Sequence, residues 1–569
     1  MHTHTVANVV APPAHLDVLT TDAPLTEAVE RWVTPADPEG ADEVRDLGAL
    51  AGTTMVREWG EQADHITPVL HTHAPTGERI DEVEYHPAYH HLMEVAVGRG
   101  LTAEPWTRPA GQGAHARRAA GFVVWSQVEA GHLCPVSMTY AAAPALTAEP
   151  ALAARWLPGL ASRAYDPVLR PMAEKPGLTV GMGMTEKQGG SDVRANTTTA
   201  VATPGGPLQG ETYRLTGHKW FCSAPMSDAF LVLARTDAGM GCFLVPRVVD
   251  DGARNVIRLQ RLKDKLGNRS NASSEIELDG TWAVRVGDEG HGIRTILGMV
   301  ASTRLDCILG STATMRAALV RAVHHARYRR AFGALLVDQP LMRNVLADLA
   351  LETEAATVLG MRLAHAVDAG EDDLVRLGVA LGKYWVCKRT APMVAEALEC
   401  LGGNGYVEEN GLARLYREAP LNSIWEGSGN VNALDVVRAL TREPSSLAAL
   451  GMELALARGN DAVLDVAIDE CTAAAGVALD PAAPWSARRL VERLTLTFQA
   501  ALLVRHSPGV VADTFVASRL GGDHGMTFGT LGSGVGPTAA RQLIDRALPA
   551  SPRVQPPQAS ARRRAAVRG

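Results

Sequence analysis

Residues 212–236 read TYRLTGHKWFCSAPMSDAFLVLART. Two runs rich in aromatic and β-branched residues, TYRLTGHKWF and AFLVLART, flank the turn-forming SAPMSD, the pattern of paired strands. GCFLVPR at 241–247 and SSEIELDGTWAVRV at 273–286 repeat it. A small all-β unit is therefore expected between about 180 and 290. On either side the texture is helical. Segments 122–129 and 141–156 space their apolar residues at three and four. From Gly292 to Gln339 there is no proline, and Leu297, Val300, Leu305, Ile308, Leu309, Met315, Leu319 and Val323 recur at helical spacing, predicting a long buried helix. Helical stretches at 341–369, 371–401 and 429–442 complete a bundle of four.

The expected fold is mainly α with a central β domain. An N-terminal helical domain spans 1–180, a β barrel or sandwich 181–290, a four-helix bundle 291–442 and a helical appendix 443–545. The end, 546–569, is Pro-, Ala- and Arg-rich and expected to be disordered. The chain has 569 residues, 46% of them hydrophobic, and a net charge of −7, which excludes a protein basic throughout. Seven cysteines without a C-x-x-C pair give neither a disulfide framework nor a zinc site. The first residues lack a signal-peptide pattern, and no apolar run approaches bilayer length, so a cytoplasmic protein without a membrane partner is expected.

Three stretches carry chemistry. GMGMTEKQGGSDV at 181–193 joins hydroxyls to adjacent glycines, whose amides can approach an anion. A polar inter-domain turn has the same composition. Phe221 and Ser223, two apart on a strand, share a face that suits a planar cofactor or equally a half-buried hairpin. In NSIWEGSGNVNALDVVRAL, Glu426 sits between Ile424–Trp425 and a Gly-Ser-Gly turn. Desolvation there would raise its pKa towards that of a general base, whereas a solvated helix-entry loop would leave it ordinary. Ser428 and Asn430 stand where a helix start could meet a phosphate. His2, His4, His71, His73, His86, His90 and His91 invite a metal reading. Glu82, His86, His90 and Glu94 fall at four-residue steps, but Pro87 interrupts the helix that would align them, so no metal is expected.

These stretches occur in register with KLGNRSNASSEIEL (265–278), VGDEGHGIRTIL, YRRAFGALLVDQP and LECLGGNGYVEEN. Together they resemble the flavin-dependent acyl-CoA dehydrogenases over about 130–440. TEKQGGSD, HKWFCS and NSIWEGSGN are similar to the narrower AidB-like adaptive-response branch, from about Arg45 to Arg442. The resemblance implies FAD held between the β domain and the bundle, a homotetramer, and an acyl-CoA thioester as substrate. Carried over by position, Met182, Gly183, Met184, Thr185, Gly189, Gly190 and Ser191 would line the flavin and its pyrophosphate. Phe221, Cys222 and Ser223 would cover the ring, Phe221 standing where the family has Trp. Arg329, Phe332 and Gln339 would reach a partner subunit's FAD, with Gly402 and Gly403 on the adenine side. Ile424, Trp425, Gly427, Ser428, Gly429 and Asn430 would complete the pocket.

By the same resemblance Glu426 is the catalytic base. One subgroup carries its base on the long helix, one residue before an arginine; that position is Thr303 here. The AidB-like branch further implies binding of double-stranded DNA in the response to alkylation, with weak dehydrogenase activity and the appendix as the DNA-binding element. Residues 441–569 carry 14 Arg and 11 acidic residues. The dense patches are Arg488, Arg489 and Arg493, and Arg562, Arg563 and Arg564 in the tail. These would grip phosphates without reading bases; a solvated helix face is the plain alternative. A metabolic short- or branched-chain acyl-CoA dehydrogenase without a DNA role is the second reading.

Overall fold

The computed structural model describes residues 3–13, 15–480 and 482–550. The N-terminal region is helical except for a hairpin that the helical reading did not anticipate. Strands β1 (Val69–His73) and β2 (Arg79–Glu84) pair antiparallel around Pro75-Thr-Gly77. Pro87 starts a helix rather than interrupting one: His86 caps Pro87–Gly98, accepting from the Ala88 N–H, and His90 bonds Tyr165.

The middle region contains β3 (Val180–Gly183), β4 (Thr199–Ala202), β5 (Thr212–Ser223), β6 (Ala229–Thr236), β7 (Gly239–Pro246), β8 (Ile257–Leu262) and β9 (Ser273–Val286). The ladder runs β6-β4-β5-β9-β7 and returns from β7 to β6, which closes a barrel; β3 adds to β6 and β8 to β9. Closure removes exposed edges. Val232 and Ala234 of β6 belong to a core shared with Phe243, while Leu231 and Leu233 pack with helix Leu133–Leu146. This two-sided burial explains why AFLVLART is continuously apolar instead of alternating. At Gly217, φ +153, a Cβ would lie 2.5 Å from the Thr198 hydroxyl, so only glycine lets β5 pass that close.

The bundle comprises Gly292–Tyr328, Pro340–Ala369, Asp372–Glu399 and Gly429–Arg442. The first of these helices has 37 residues and packs against N-terminal helices on one side and bundle helices on the other, so its apolar residues encircle it. Arg118 and Asp306, both buried, form a two-pronged pair that ties the N-terminal domain to this helix. No helix among the described residues is long and apolar enough to cross a membrane.

The appendix folds onto the bundle. Helix Ala483–His506 packs on three of the four bundle helices. Arg505 pairs with Glu453 at 2.6 Å, and Arg519 with Asp348 and Glu352. Helix Pro537–Ala547 carries Arg546 to Glu27 and Glu354, each at 2.7 Å. The expected disorder from 546 is therefore corrected at its start, because Arg546 belongs to an ordered helix held by these two carboxylates. Arg562, Arg563 and Arg564 lie outside the described residues.

Candidate functional site

Glu426 lies in the loop between the short turn Leu421–Ser423 and helix Gly429–Arg442. Its φ is +57 and that of Gly427 is +99. A left-handed non-glycine residue costs on the order of 1–3 kcal/mol and persists only where neighbours enforce it. Here three side chains do so. Arg304 Nε donates to the Glu426 carbonyl at 2.9 Å, while Lys383 Nζ (3.0 Å) and Asn432 Nδ2 (2.6 Å) donate to that of Gly427. Arg304 is itself braced by Asp435, which also pairs with Arg376. The Glu426 N–H has no partner among the described residues and remains available as a donor.

The carboxylate is bonded by Thr303: Oγ1 donates to Oε2 at 2.6 Å across 123 residues of sequence. Burial pushes the Glu426 pKa above the ordinary carboxylate value, and the Thr303 hydrogen bond and the charges of Lys383 and Arg304 only partly offset it. The burial does not come from Ile424, as the sequence suggested, since Ile424 is 63% exposed. The Cys134 and Cys307 thiols, both buried, instead feel the Glu426 charge, and Cys134 lies against Ser223 and Asn271. Met182, Met184 and Trp425 pack on one apolar cluster that includes Cys134 and Met138. The 181–193 stretch, the end of β5 and the Glu426 loop are thus brought to one place.

Within 181–193 the most heavily engaged side chain is Glu186, which sequence reading had passed over. Fully buried, it accepts from Lys219 Nζ (2.8 Å), both donors of Thr197 and of Thr198, and Gln188. Although burial opposes ionisation, Lys219 and these donors hold the carboxyl far below its usual range. A bulge in the β5–β9 ladder between Lys219 and Cys222 turns both side chains inward and leaves Phe221 48% exposed. Cys222 is accordingly corrected as a pocket side chain: its thiol is in the core and its carbonyl accepts from Ser274. Ser223 is within 3.0 Å of the Ser273 hydroxyl.

Gly190 packs against Thr185, where a Cβ would fall 2.6 Å from the hydroxyl. The hydroxyls of Thr185, Ser191 and Ser428 make no hydrogen bond among the described residues. The Thr185 carbonyl accepts from the Trp220 N–H at 2.8 Å, which sets Thr185 next to the strand end carrying the half-exposed Phe221. Uncommitted hydroxyls and exposed apolar side chains such as Phe221 and Ile424 are groups of the kind a flavin nucleotide requires. Gly183 and Gly429 are buried, Gly189 is open, and Gly427 is braced through its carbonyl.

Arg329, Phe332 and Gln339 are elsewhere. Arg329 is 26 residues along from Thr303, so at 1.5 Å per residue it lies about 39 Å away. There Arg329, Gly402 and Gly403 line one hollow. Phe332 is 98% exposed, and Gln339 donates to the Ala331 carbonyl.

The basic patch is less free than its sequence suggested. Arg488 donates to Asn430 Oδ1 at 2.9 Å, so a residue expected on DNA holds one expected at the flavin. Arg493 pairs with Glu470 at 2.7 Å. Of the appendix arginines described, only Arg489 and Arg541 make neither an ion pair nor a side-chain hydrogen bond among the described residues.

Residues 8–167 match the adaptive response protein AidB N-terminal domain. Residues 181–281 match the acyl-CoA dehydrogenase middle domain and residues 290–441 the acyl-CoA dehydrogenase C-terminal domain. Over 471 residues the chain is 47% identical to "Putative acyl-CoA dehydrogenase AidB" of Escherichia coli (strain K12), covering 82% of this chain and 86% of that protein. It is 32% identical to "Acyl-CoA dehydrogenase family member 11" of Caenorhabditis elegans, covering 77% and 73%. The crystal structure of C. elegans ACDH-11 in complex with C11-CoA superposes with a TM-score of 0.81 at 27% identity, over 91% of this chain and 93% of that one. An acyl-CoA dehydrogenase complexed with FAD from Bacillus anthracis shares the fold, with a TM-score of 0.65 at 17% identity over 91% and 90%.

Proposed function

Because the chain belongs to the acyl-CoA dehydrogenase family, in its AidB branch, we propose that it is a FAD-dependent dehydrogenase of acyl-CoA thioesters whose base is Glu426. We further propose that it binds double-stranded DNA non-specifically. The observation that carries the catalytic reading is the Glu426 carboxylate, raised in pKa by burial and held by Thr303 at 2.6 Å. A carboxylate poised towards neutrality accepts a weakly acidic proton better than a solvated one.

FAD, held by Met182–Ser191, Phe221 and residues 424–430, would supply the acceptor for the β-hydrogen, leaving as hydride. The protein's own tasks are then three. Glu426 takes the α-proton onto a carboxylate oxygen, so that the α,β-double bond forms as both hydrogens leave. Its free N–H donates to the thioester carbonyl oxygen, stabilising the charge that develops there. Met182, Met184, Trp425 and Cys134 keep the reacting carbons in an apolar wall that limits water. Thr303 and Arg304 are positioning residues: one fixes the carboxylate, the other the backbone that carries it.

Assembly as a homotetramer is supported by the apolar side chains gathered beyond the long helix. Phe332 is 98%, Tyr406 83% and Leu341 82% exposed, near the Arg329–Gly403 hollow, and such surface calls for a partner. A cytoplasmic site suits the seven free cysteines. For DNA, the support is the AidB relationship together with Arg489, Arg541 and the arginines of 553–568. Of the other described appendix arginines, Arg488, Arg519 and Arg546 are spent on the bundle, and Arg458, Arg493 and Arg505 on acids of the appendix itself.

The test is a visible spectrum of the purified protein, followed by anaerobic bleaching of the flavin with a short branched acyl-CoA. Glu426→Gln should abolish bleaching while the flavin remains bound; unchanged bleaching overturns the base assignment. An electrophoretic shift with duplex DNA across a salt series tests the second half. No shift at low ionic strength leaves a metabolic dehydrogenase.

A further inference from the structure

Residues 8–13 form an arm across the far end of helix Gly292–Tyr328. Asn8 and Arg330 exchange hydrogen bonds at 2.8 and 2.9 Å, His324 Nε2 meets the Ala11 carbonyl at 2.9 Å, and Arg57 donates to that of Pro13. Beneath the arm is a cavity whose lining includes Val10, Leu16 and Val320. Four arginines, Arg57, Arg316, Arg321 and Arg414, line the same cavity.

Only one of the four is neutralised. Arg316 Nε is 2.8 Å from Asp22, whereas Arg57, Arg321 and Arg414 have no carboxylate oxygen within 4.0 Å among the described residues. Arg57 Nε, Arg316 Nη1 and Arg414 Nη1 are buried with no hydrogen-bond partner. Arg321 spends Nη1 on the Ala317 carbonyl, and Gly411, at φ +72, leaves room for its head, since a Cβ there would fall 3.2 Å from Nε. Burial and repulsion from Arg414 and Arg57 lower the Arg321 pKa to about 10. The cavity's own acids, Glu61 and Glu409, are exposed and bond none of the four.

Buried guanidinium N–H groups are costly when unpaired, and three uncompensated cations facing one space are a partner short. We propose that this cavity binds a phosphate monoester of a small organic molecule. The phosphate would be gripped by Arg57, Arg321 and Arg414, and the organic body would lie on the Val10–Leu16–Val320 wall under the arm. A phosphate dianion, with twice the charge of a carboxylate and more acceptor oxygens, suits three guanidinium groups better than a carboxylate does. The apolar wall favours an organic body over free phosphate.

Isothermal titration of the full-length, flavin-loaded protein with phenyl phosphate, inorganic phosphate and benzoate tests the proposal. Phenyl phosphate should bind most tightly, inorganic phosphate more weakly, and benzoate at least about tenfold more weakly than phenyl phosphate, because benzoate carries half the charge of the dianion and fewer acceptor oxygens. Arg321→Met with Arg414→Met should weaken phenyl phosphate binding by about tenfold or more while flavin absorbance and bleaching stay at wild-type level. Should that variant fail to fold, Arg57→Lys serves, because it keeps the charge and removes the orphaned Nε. On the wild type, phenyl phosphate should also slow proteolysis within the arm. No binding heat at millimolar phenyl phosphate, benzoate binding as tightly, or undiminished binding by the variants would overturn the proposal.

Discussion

Replacing Thr303 by Val keeps the shape of a buried side chain and removes one hydroxyl. That hydroxyl donates to Glu426 Oε2 at 2.6 Å and so favours the ionised carboxylate. A hydrogen bond to a charged group contributes about 1.5–3 kcal/mol, and about 1.36 kcal/mol corresponds to one pKa unit. The Glu426 pKa, already above the ordinary value through burial, should therefore rise by about one to two units. Water entering from the open side of the loop replaces part of the bond and favours the lower figure. The base works as carboxylate, so the rate grows as pH rises through its pKa. In Thr303→Val the acidic limb of the kcat/KM profile should move to higher pH by about one unit. At a pH on the wild-type plateau but below the new pKa, the loss is about tenfold for each unit of separation, and at high pH the variant should recover. Thr303→Ser should restore the wild-type limb. The measurement is the rate of anaerobic flavin bleaching by acyl-CoA across pH. An unmoved limb, or a plateau abolished at every pH, would refute the role assigned to Thr303.

Lys219→Met should destabilise the barrel by about 3–5 kcal/mol, since it leaves Glu186 charged and buried; chemical denaturation reads this, and adding Glu186→Gln should recover part of the loss. Arg546→Ala strands the buried Glu354 and should cost about 3 kcal/mol, seen as a lower melting temperature with unchanged flavin absorbance. Burial alone would raise the Glu129 pKa, but hydrogen bonds and charge from His132 hold it down at about 2. A depressed folded-state value adds stability above the unfolded value near 4.5, and that stability disappears as pH falls from there towards 2. Glu129→Gln should therefore flatten acid denaturation in that window, removing about 3 kcal/mol of pH dependence. If the appendix grips DNA, Arg489→Ala with Arg541→Ala should weaken duplex binding and reduce its salt slope by about 2, whereas no change would leave the folded appendix without a contact.

The central β region was legible because β-rich runs with turn residues between them differ so plainly from the flanking helices. The long helix was legible through its unbroken apolar recurrence. The hairpin at 69–84 escaped because VLHTH and RIDEVE are polar and half-exposed, so alternation left little signal. Glu426 could be singled out from its loop, but its partner could not. Thr303 lies 123 positions away, and only folding brings them together. Glu186 was hidden by the glycines beside it, and its role depends on a bulge that turns Lys219 inward, which no local pattern encodes. The appendix arginines show the reverse error. Clustering in sequence suggested an anion-binding face, but Arg505, Arg519 and Arg546 are directed to carboxylates supplied by Glu453, Asp348, Glu352 and Glu354, and sequence distance conceals such pairings.

A hydroxyl on the long helix touching the acid of a distant loop means that two unconnected pieces of backbone address a single point in space. Relatives that mount the acid on the helix and those that mount it on the loop would then be moving a proton acceptor by one side chain's length, with the bound molecule left in place. Moving the acid, so that position 303 carries Glu and position 426, with its φ of +57, carries Gly, becomes an interchange within one small volume rather than a redesign. How readily the acid changes address depends on the spacing of two polypeptide segments, a property of the scaffold that outlasts the identity of either residue.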